Sequence, residues 1–465
     1  MTEIGVSEEA EVVRDNQSRP PLRGRLALTA ALLGFFMISL DATAVNVALT
    51  PIGRSLHGTT SGLQWVVDGY TVPFAALLIS AGTVSDWLGA RRVFGWGLVV
   101  FAAASAWCGL APVLPVLVAA RVVQGCAAAV MLPSSLALVR QAFADQAARA
   151  RAVAVWSSGG AAAIAAGPVL GGILTSAAGW RSFFVNLPVG AAVLGLLAIR
   201  APRSPRQAAP LDPLGQVTAV LGLAALTFGV ISGGAHGFGA PSVLTSLVVA
   251  ALACACFCIV ESRVARPMVP LALFRSPAVV TCVVTGFSVN AAFYGVAFVL
   301  SLYFQRVLGE SAIAAGLLFL PMTGLLTVAN LASARVAARW GHHVPVRAGL
   351  CVGTLGMLLL AFLPVFLPGR IALEIALVPA GAGLGFALPS LTFLLLDSLP
   401  AAQAGLAGGL FNAGRQTGGA LAVATFGTLV AGSFLTGMRI SMLISAVLLL
   451  LSTAAAFAVF RRRAW

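Results

Sequence analysis

The chain contains no lysine: all 28 of its basic residues are arginine. Charge of either sign is scarce, at 9% of 465 residues, against about 25% in an ordinary soluble domain. That scarcity, beside 59% hydrophobic residues, excludes a single soluble core and indicates a polytopic membrane protein. Acids are rarer still, 14 in all, which leaves a net charge of +14. In a soluble protein that excess would suggest nucleic acid; here membrane topology accounts for it, as shown below. There is no phosphate-binding P-loop and no polar segment long enough for an ATPase domain. No Ser/His/Asp or metal-ligand constellation stands out, and His57, His236, His342 and His343 all fall between apolar runs. The seven cysteines lie mostly inside apolar runs and make no disulfide framework. Cys254, Cys256 and Cys258 sit in one uninterrupted run and read as small packing residues. The expectation is a protein that is not an enzyme and uses no cofactor, metal or nucleic acid. No short apolar segment with a small-residue cleavage site precedes the first long run, so no signal peptide is expected.

What the chain does have is apolar length. Fourteen runs follow one another from 26–49 to 438–460, each near the roughly 20 residues that cross a bilayer. With both termini in the cytosol, inner segments carry 21 arginines and outer loops only Arg54, Arg181, Arg306, Arg370 and Arg439. That bias is what the positive-inside rule requires, and miscounting one central span would scramble it. The loop GTVSDWLGARR after the second run and SARVAARWGHH after the tenth form a weak internal repeat. They place residues 26–200 and 266–465 as two six-helix bundles, with 201–265 holding a linker and an inserted hairpin of helices 7 and 8. Residues 1–25 form a disordered cytosolic tail. Two six-helix halves around a central path are a recurring transporter plan.

Ionisable groups inside the runs are costly and therefore functional candidates. At 1.5 Å per residue, Asp41 lies about 12 Å from the outer end of its helix, Asp68 about 9 Å and Arg121 about 12 Å. The three share a level in the outer half of the first bundle, so one of the acids pairs with Arg121. Arginine keeps its proton, so the acid is the group that titrates; a static structural pair is the alternative. Asp68, with Trp65, Tyr70 and Phe74 nearby in sequence, suits either a cation held by charge and ring faces or a second proton site. Arg415 falls about 16 Å into its helix beside Asn412 and Gln416, with no acid of the second half at its depth. Glu374 follows Arg370 at a spacing that allows a helical surface pair, or stands alone as a vestibule acid. Asn290, Phe293 and Tyr294 are further cavity-lining candidates.

Several stretches then fall in register with one family. LDATAVNVALTPIG, from Leu40, resembles the first-span motif of the fourteen-span drug:proton antiporters of the major facilitator superfamily. GTVSDWLGARR resembles the superfamily loop motif, keeping Gly82, Asp86, Gly89, Arg91 and Arg92 but with Trp87 and Ala90 where arginine is usual. LVAARVVQGCAAA matches the fourth-span motif through Arg121, Gln124 and Gly125. AAGPVLGG resembles the fifth-span antiporter motif with Gly167, Pro168, Gly171 and Gly172. GWRSFFVNLPVG and FNAGRQTGGALA resemble further signatures of the branch. The resemblance, which includes similarity to quaternary-ammonium and multidrug exporters, implies an all-α major facilitator fold in the plasma membrane, acting as a monomer. It implies export of amphipathic, cationic or neutral drugs in exchange for protons. Asp41, Arg121 and Asp68 are then the coupling groups. Asp68, Trp65, Tyr70, Asn46, Gln124, Asn290, Phe293, Tyr294, Arg415 and Glu374 are the substrate candidates. The loop residues Gly82 to Arg92 form a latch between access states, and the fifth-span glycines and proline a hinge or packing seam. A dedicated exporter of one natural product, a nutrient facilitator or symporter, and a non-transporting sensor remain as alternatives.

Overall fold

The computed structural model describes residues 22–143, 145–200, 212–264, 267–366, 369–400 and 403–460. The tail expected at 1–25 lies outside them up to residue 21. Fourteen long helices follow in order: α1 Leu22–Ser55, α2 Thr60–Leu88, α3 Ala90–Leu110, α4 Leu114–Ala142, α5 Gln146–Ala178, α6 Asn186–Arg200, α7 Pro213–His236 and α8 Pro241–Arg263. Then come α9 Pro277–Leu302, α10 Ala312–Trp340 with a break at Phe319, α11 His343–Phe366, α12 Arg370–Asp397, α13 Ala404–Gly432 and α14 Phe434–Val459. Thirteen are long and apolar enough to cross a membrane. The remaining one, α13, has the length, but Asn412, Arg415 and Gln416 interrupt its apolar run.

Local sequence sets where these helices begin. Thr59, Asp145, Asp212 and Ser311 each stand at an N-cap and accept a backbone N–H three residues on, from Gly62, Ala148, Gly215 and Ala314. Such caps satisfy donors that the first helical turn leaves unpaired. The two loops of the internal repeat turn on the same device. Gly89, between α2 and α3, has φ 94°, and Gly341, between α10 and α11, has φ 84°. A side chain at either position would be strained in that region of backbone space, so each helix ends at the glycine.

The helix pairings repeat in the two halves. In the first bundle α1 packs on α5 and α6, and α4 on α2 and α3; in the second, α9 packs on α13 and α14, and α12 on α10 and α11. The hairpin α7–α8 packs on itself, and α7 also lies against α2 and α13. The seam between bundles obeys the same two-fold relation, α2 against α13 and α5 against α10, with α1 and α9 between them.

Hydrogen bonds across this seam gather at the end that the arginine bias places outside. Gln64 Nε2 donates to the carbonyls of Val423 at 3.3 Å and Ala424 at 2.5 Å. Ser301 Oγ donates to the Asn46 carbonyl at 2.6 Å and Gln305 Nε2 to that of Val47 at 3.0 Å. Gln305 sits in a single π-turn, Tyr303–Val307, at the end of α9. On the other side of the seam, a methyl at Gly172 would come 2.6 Å from the Ala312 carbonyl oxygen. Only glycine lets α5 and α10 approach that closely. The fifth-span motif is thus a packing seam on two fronts, since Gly171 meets Ala44 of α1.

Candidate functional site

Five helices of the first bundle converge on one buried ion pair. Arg121, at 0% exposure, donates through Nη1 to Asp41 Oδ2 and, at 2.7 Å, to Gln124 Oε1. Its Nε donates to the Val66 carbonyl at 3.1 Å, and its guanidinium lies 4.4 Å from the centre of the Tyr70 ring. Asp41 Oδ1 accepts from Gln124 Nε2 at 3.1 Å and from Asn186 Nδ2 at 3.0 Å. Both amides also donate to Ser105 Oγ, at 2.8 and 3.1 Å. Gln124 is one turn from Arg121 on the same face of α4, so the two act as one fork. Asp41 therefore holds three donors, all from its own bundle. A cavity of about 40 Å³ borders it, lined by Thr175, Trp180, Ser182 and Asn186 among others, and is large enough for ordered water.

The sequence brought Asp41, Arg121 and Gln124 forward but passed over Asn186 and Ser105. Asn186 lay within a quoted motif, and its depth could have been read once the short turn Trp180–Val185 was placed before α6. Ser105 is a lone hydroxyl in an apolar helix, for which no sequence signal exists.

Asp68 stands apart. It is at 0% exposure, and neither carboxylate oxygen has a hydrogen-bond partner among the described residues. It lies one turn beyond Gln64 on the face of α2 that meets α13. The aromatic residues expected around it turn elsewhere. Trp65 packs against Phe228 of α7, with ring centres 6.2 Å apart, and Tyr70 lies on Arg121 with its hydroxyl donating to the Ile38 carbonyl. Tyr70 and Phe74 share one face of α2, with ring centres 5.7 Å apart, and that face lies roughly opposite Asp68, so the three rings do not close around its carboxylate.

In the second bundle Arg415 is partly buried, and its partners are neutral: Nε to Asn290 Oδ1 at 3.1 Å and Nη1 to Asn412 Oδ1 at 3.4 Å. Asn290 Nδ2 in turn donates to Gln416 Oε1 at 3.2 Å. Tyr294 meets the backbone face of Gly419 and stacks edge-on with Phe293, 5.2 Å between centres. Asn46, one turn from Ala42 on α1, is buried in the seam with its carbonyl bonded to Ser301. Of the two readings of Glu374, the surface pair with Arg370 is not formed among the described residues: Arg370 reaches Glu310 of the preceding outer loop at 3.9 Å. Arg370 begins α12 with its guanidinium at the outer surface, whereas the helix carries Glu374 inward.

At the inner end of α2, Asp86 is exposed and joins no ion pair among the described residues, and Gly82 has open space around it. Arg91 Nη2 donates to the Leu197 carbonyl at 3.0 Å, tying α3 to α6, while Arg92 is exposed.

Comparison with known proteins agrees with this architecture. The Major Facilitator Superfamily pattern matches residues 31–423. The methylenomycin A resistance protein of Streptomyces coelicolor is 37% identical over 431 residues, 92% of this chain and 89% of that one. The multidrug resistance protein Stp of Mycobacterium tuberculosis is 36% identical over 408 residues, 87% of this chain and 76% of that one. Among solved structures, a bacterial homologue of the human lysosomal transporter Spinster, inward-facing and unoccupied, superposes with a TM-score of 0.65 over 95% of this chain and 98% of that one. Its identity is 16%, so that likeness speaks for the fold alone. Matched over most of its length and above 30% identity to resistance proteins, the chain belongs to the Major Facilitator Superfamily, among its fourteen-span drug-resistance exporters.

Proposed function

We propose that this plasma-membrane protein exports amphipathic antibiotics in exchange for protons, and that Asp68 is the group through which the proton does work. The observation that carries the reading is a fully buried acid on the α13-facing side of α2, with no donor on either oxygen among the described residues. An isolated carboxylate there costs several kcal/mol, so the outer seam closes on the neutral acid. The charged groups on elements packed around it are all engaged or remote. Arg121 of α4 is committed to Asp41, Arg415 of α13 is engaged by Asn290 and Asn412, and His236 ends α7 at the outer surface.

The cycle follows from that constraint. With the outer seam shut, substrate enters from the cytosol. Substrate wedged between the bundles loosens α2 from α13, water reaches Asp68, and its proton leaves inward. The ionised acid cannot reseal, so the bundles rock and release substrate outward. A proton from outside then neutralises Asp68 and the seam closes again. Asp41 and Arg121 lie within one rigid bundle, so rocking leaves their mutual bonds unchanged. Their part is to hold each other and to fix Tyr70 and α2 in register.

The test is export by purified protein in liposomes under an imposed pH gradient. Collapse of the gradient should stop concentrative export, and Asp68→Asn should leave downhill movement of substrate but remove its response to pH. Wild-type export that ignores the gradient would end the proton reading, and a full pH response in Asp68→Asn would end the assignment to that residue. A narrower reading, a dedicated exporter of one natural product, is favoured by the relative named for methylenomycin A alone. Resistance of expressing cells to a single compound in a broad antibiotic panel would select it.

A further inference from the structure

A groove of about 800 Å³ opens on the outside of the first bundle, between α3 and α6 at their cytosolic ends. Its volume falls within the roughly 300–1,000 Å³ of small-ligand sites. Farther out the two helices touch, where a methyl at Gly190 would lie 3.3 Å from Ala102. Toward the cytosol they splay apart, and Gly95, with open space beside it, leaves the gap unfilled. Neither helix has a substantial share in the seam between bundles, so the groove faces the surrounding lipid and not the transport path.

The lining is graded by depth. On α3, Arg92, Trp96 and Val99 share one face at helical spacing, about 3, 9 and 14 Å from the cytosolic end of the helix. Trp96 is 72% exposed, an unusual state for a large aromatic ring unless it meets lipid at the interface. Leu194, Leu197 and Ala198 form the facing wall on α6. Arg91 crosses the base through its bond to the Leu197 carbonyl and so fixes the width of the groove. The lining contains two guanidinium groups and no acid.

We infer that this groove binds one anionic phospholipid of the cytosolic leaflet. The phosphate meets Arg92, with Arg91 adding charge from its strapped position, and an acyl chain runs outward over Trp96 and Val99 against Leu194. Arginine suits this task because its planar fork matches two phosphate oxygens. Basic pockets between helices on the cytosolic side are where acidic headgroups collect. An amphipathic drug entering sideways would fit the apolar walls, but the paired arginines and the distance from the seam favour the lipid.

Native mass spectrometry of the purified full chain tests this, with phosphatidylglycerol and phosphatidylcholine as probes. Wild type should retain one phosphatidylglycerol in preference to phosphatidylcholine, and Arg92→Gln should reduce that preference about tenfold, the scale of one charge-assisted contact. Trp96→Ser should weaken both lipids alike. A photoactivatable phosphatidylglycerol should crosslink to peptides containing Trp96 or Leu194, a readout that needs no variant. Equal retention of the two lipids by wild type, an unchanged preference in Arg92→Gln, or crosslinks elsewhere would each overturn the inference. Displacement of the lipid by a transported antibiotic in simple competition would overturn it too, by making the groove a substrate route. None of these outcomes depends on proton coupling, so failure here and failure of the export mechanism are separable.

Discussion

Replacing Asp41 with asparagine is a test of how the buried network holds charge. The carboxylate uses Oδ2 for Arg121 and Oδ1 for both Gln124 and Asn186. Asparagine keeps the shape but has one acceptor and a donor group in place of the second. If its oxygen faces Arg121, its NH2 confronts two amide donors. Asn186 can turn its amide over and offer oxygen, because its other partner is the Ser105 hydroxyl, which donates or accepts equally. Gln124 cannot, because its oxygen already accepts from Arg121. The variant therefore leaves one unsatisfied donor and one uncompensated guanidinium in oil. Removing one partner of a buried pair costs about 3–5 kcal/mol, whereas removing both often costs little. We expect Asp41→Asn and Arg121→Met each to lower the thermal midpoint of the purified protein strongly, and Asp41→Leu/Arg121→Met to recover most of the loss. The recovered stability measures their coupling. A double variant no more stable than either single one would refute the reasoning, because the two charges would then not be one unit.

Further outcomes follow from the seam and the inner loop. Gly172→Val should hold α5 off α10 and keep the outer end from sealing. A cysteine placed at Ser301 should then react with an impermeant maleimide from outside, and unchanged labelling would count against the close approach. Gln64→Leu removes two neutral hydrogen bonds to α13, each worth about 1 kcal/mol. It should increase the same labelling by less than Gly172→Val does. His342, in the α10–α11 loop, stacks on Phe393 at 3.7 Å with planes 10° apart, and burial pushes its imidazole below the usual range while Asp397 opposes that shift. The folded state thus disfavours the protonated ring, and stability falls as pH drops below about 6.5. The thermal midpoint should fall between about pH 7.5 and 5.5 in wild type, and less so in His342→Asn.

The sequence made the architecture legible because lipid imposes a simple rule: apolar runs of fixed length, separated by loops whose arginines report the side. It also made the level of the ion pair legible, since a helix rises uniformly, and Asp41 does meet Arg121. Rotation about the helix axis was harder to read. Residues 65, 68, 70 and 74 look clustered in the sequence, yet they meet α7, α13, Arg121 and the first bundle's interior, because which face meets which neighbour depends on packing of the whole bundle. Gln64, Ser301 and Gln305 were missed for the same reason. Each is an ordinary polar residue near a helix end, and only the mating of the bundles turns it onto a carbonyl of the opposite half. The Arg370–Glu310 contact likewise joins a helix start to a loop 60 residues earlier, which local spacing cannot anticipate.

In the proposed cycle the seam must be strong enough to seal and weak enough to break. Its buried hydrogen bonds run from the neutral side chains of Gln64, Ser301 and Gln305 to backbone carbonyls; Arg306 adds a long contact to Thr60 Oγ1, 3.4 Å, at the exposed outer rim, and the charged pair Asp41–Arg121 is kept inside one bundle. Neutral bonds contribute about 1 kcal/mol each, so those across the seam amount to a few kcal/mol. That matches the work available from one proton, about 2.3 kcal/mol per 100 mV of membrane potential. An ion pair in the same place would exceed what one proton can undo, because separating it in oil costs about 3–5 kcal/mol by itself. Asp68, the buried acid on the α13-facing side of α2, has no hydrogen-bond partner among the described residues to be pulled from. In the proposed mechanism its cost depends only on whether it carries a proton, so protonation decides between the sealed and open seam without any strong bond being broken.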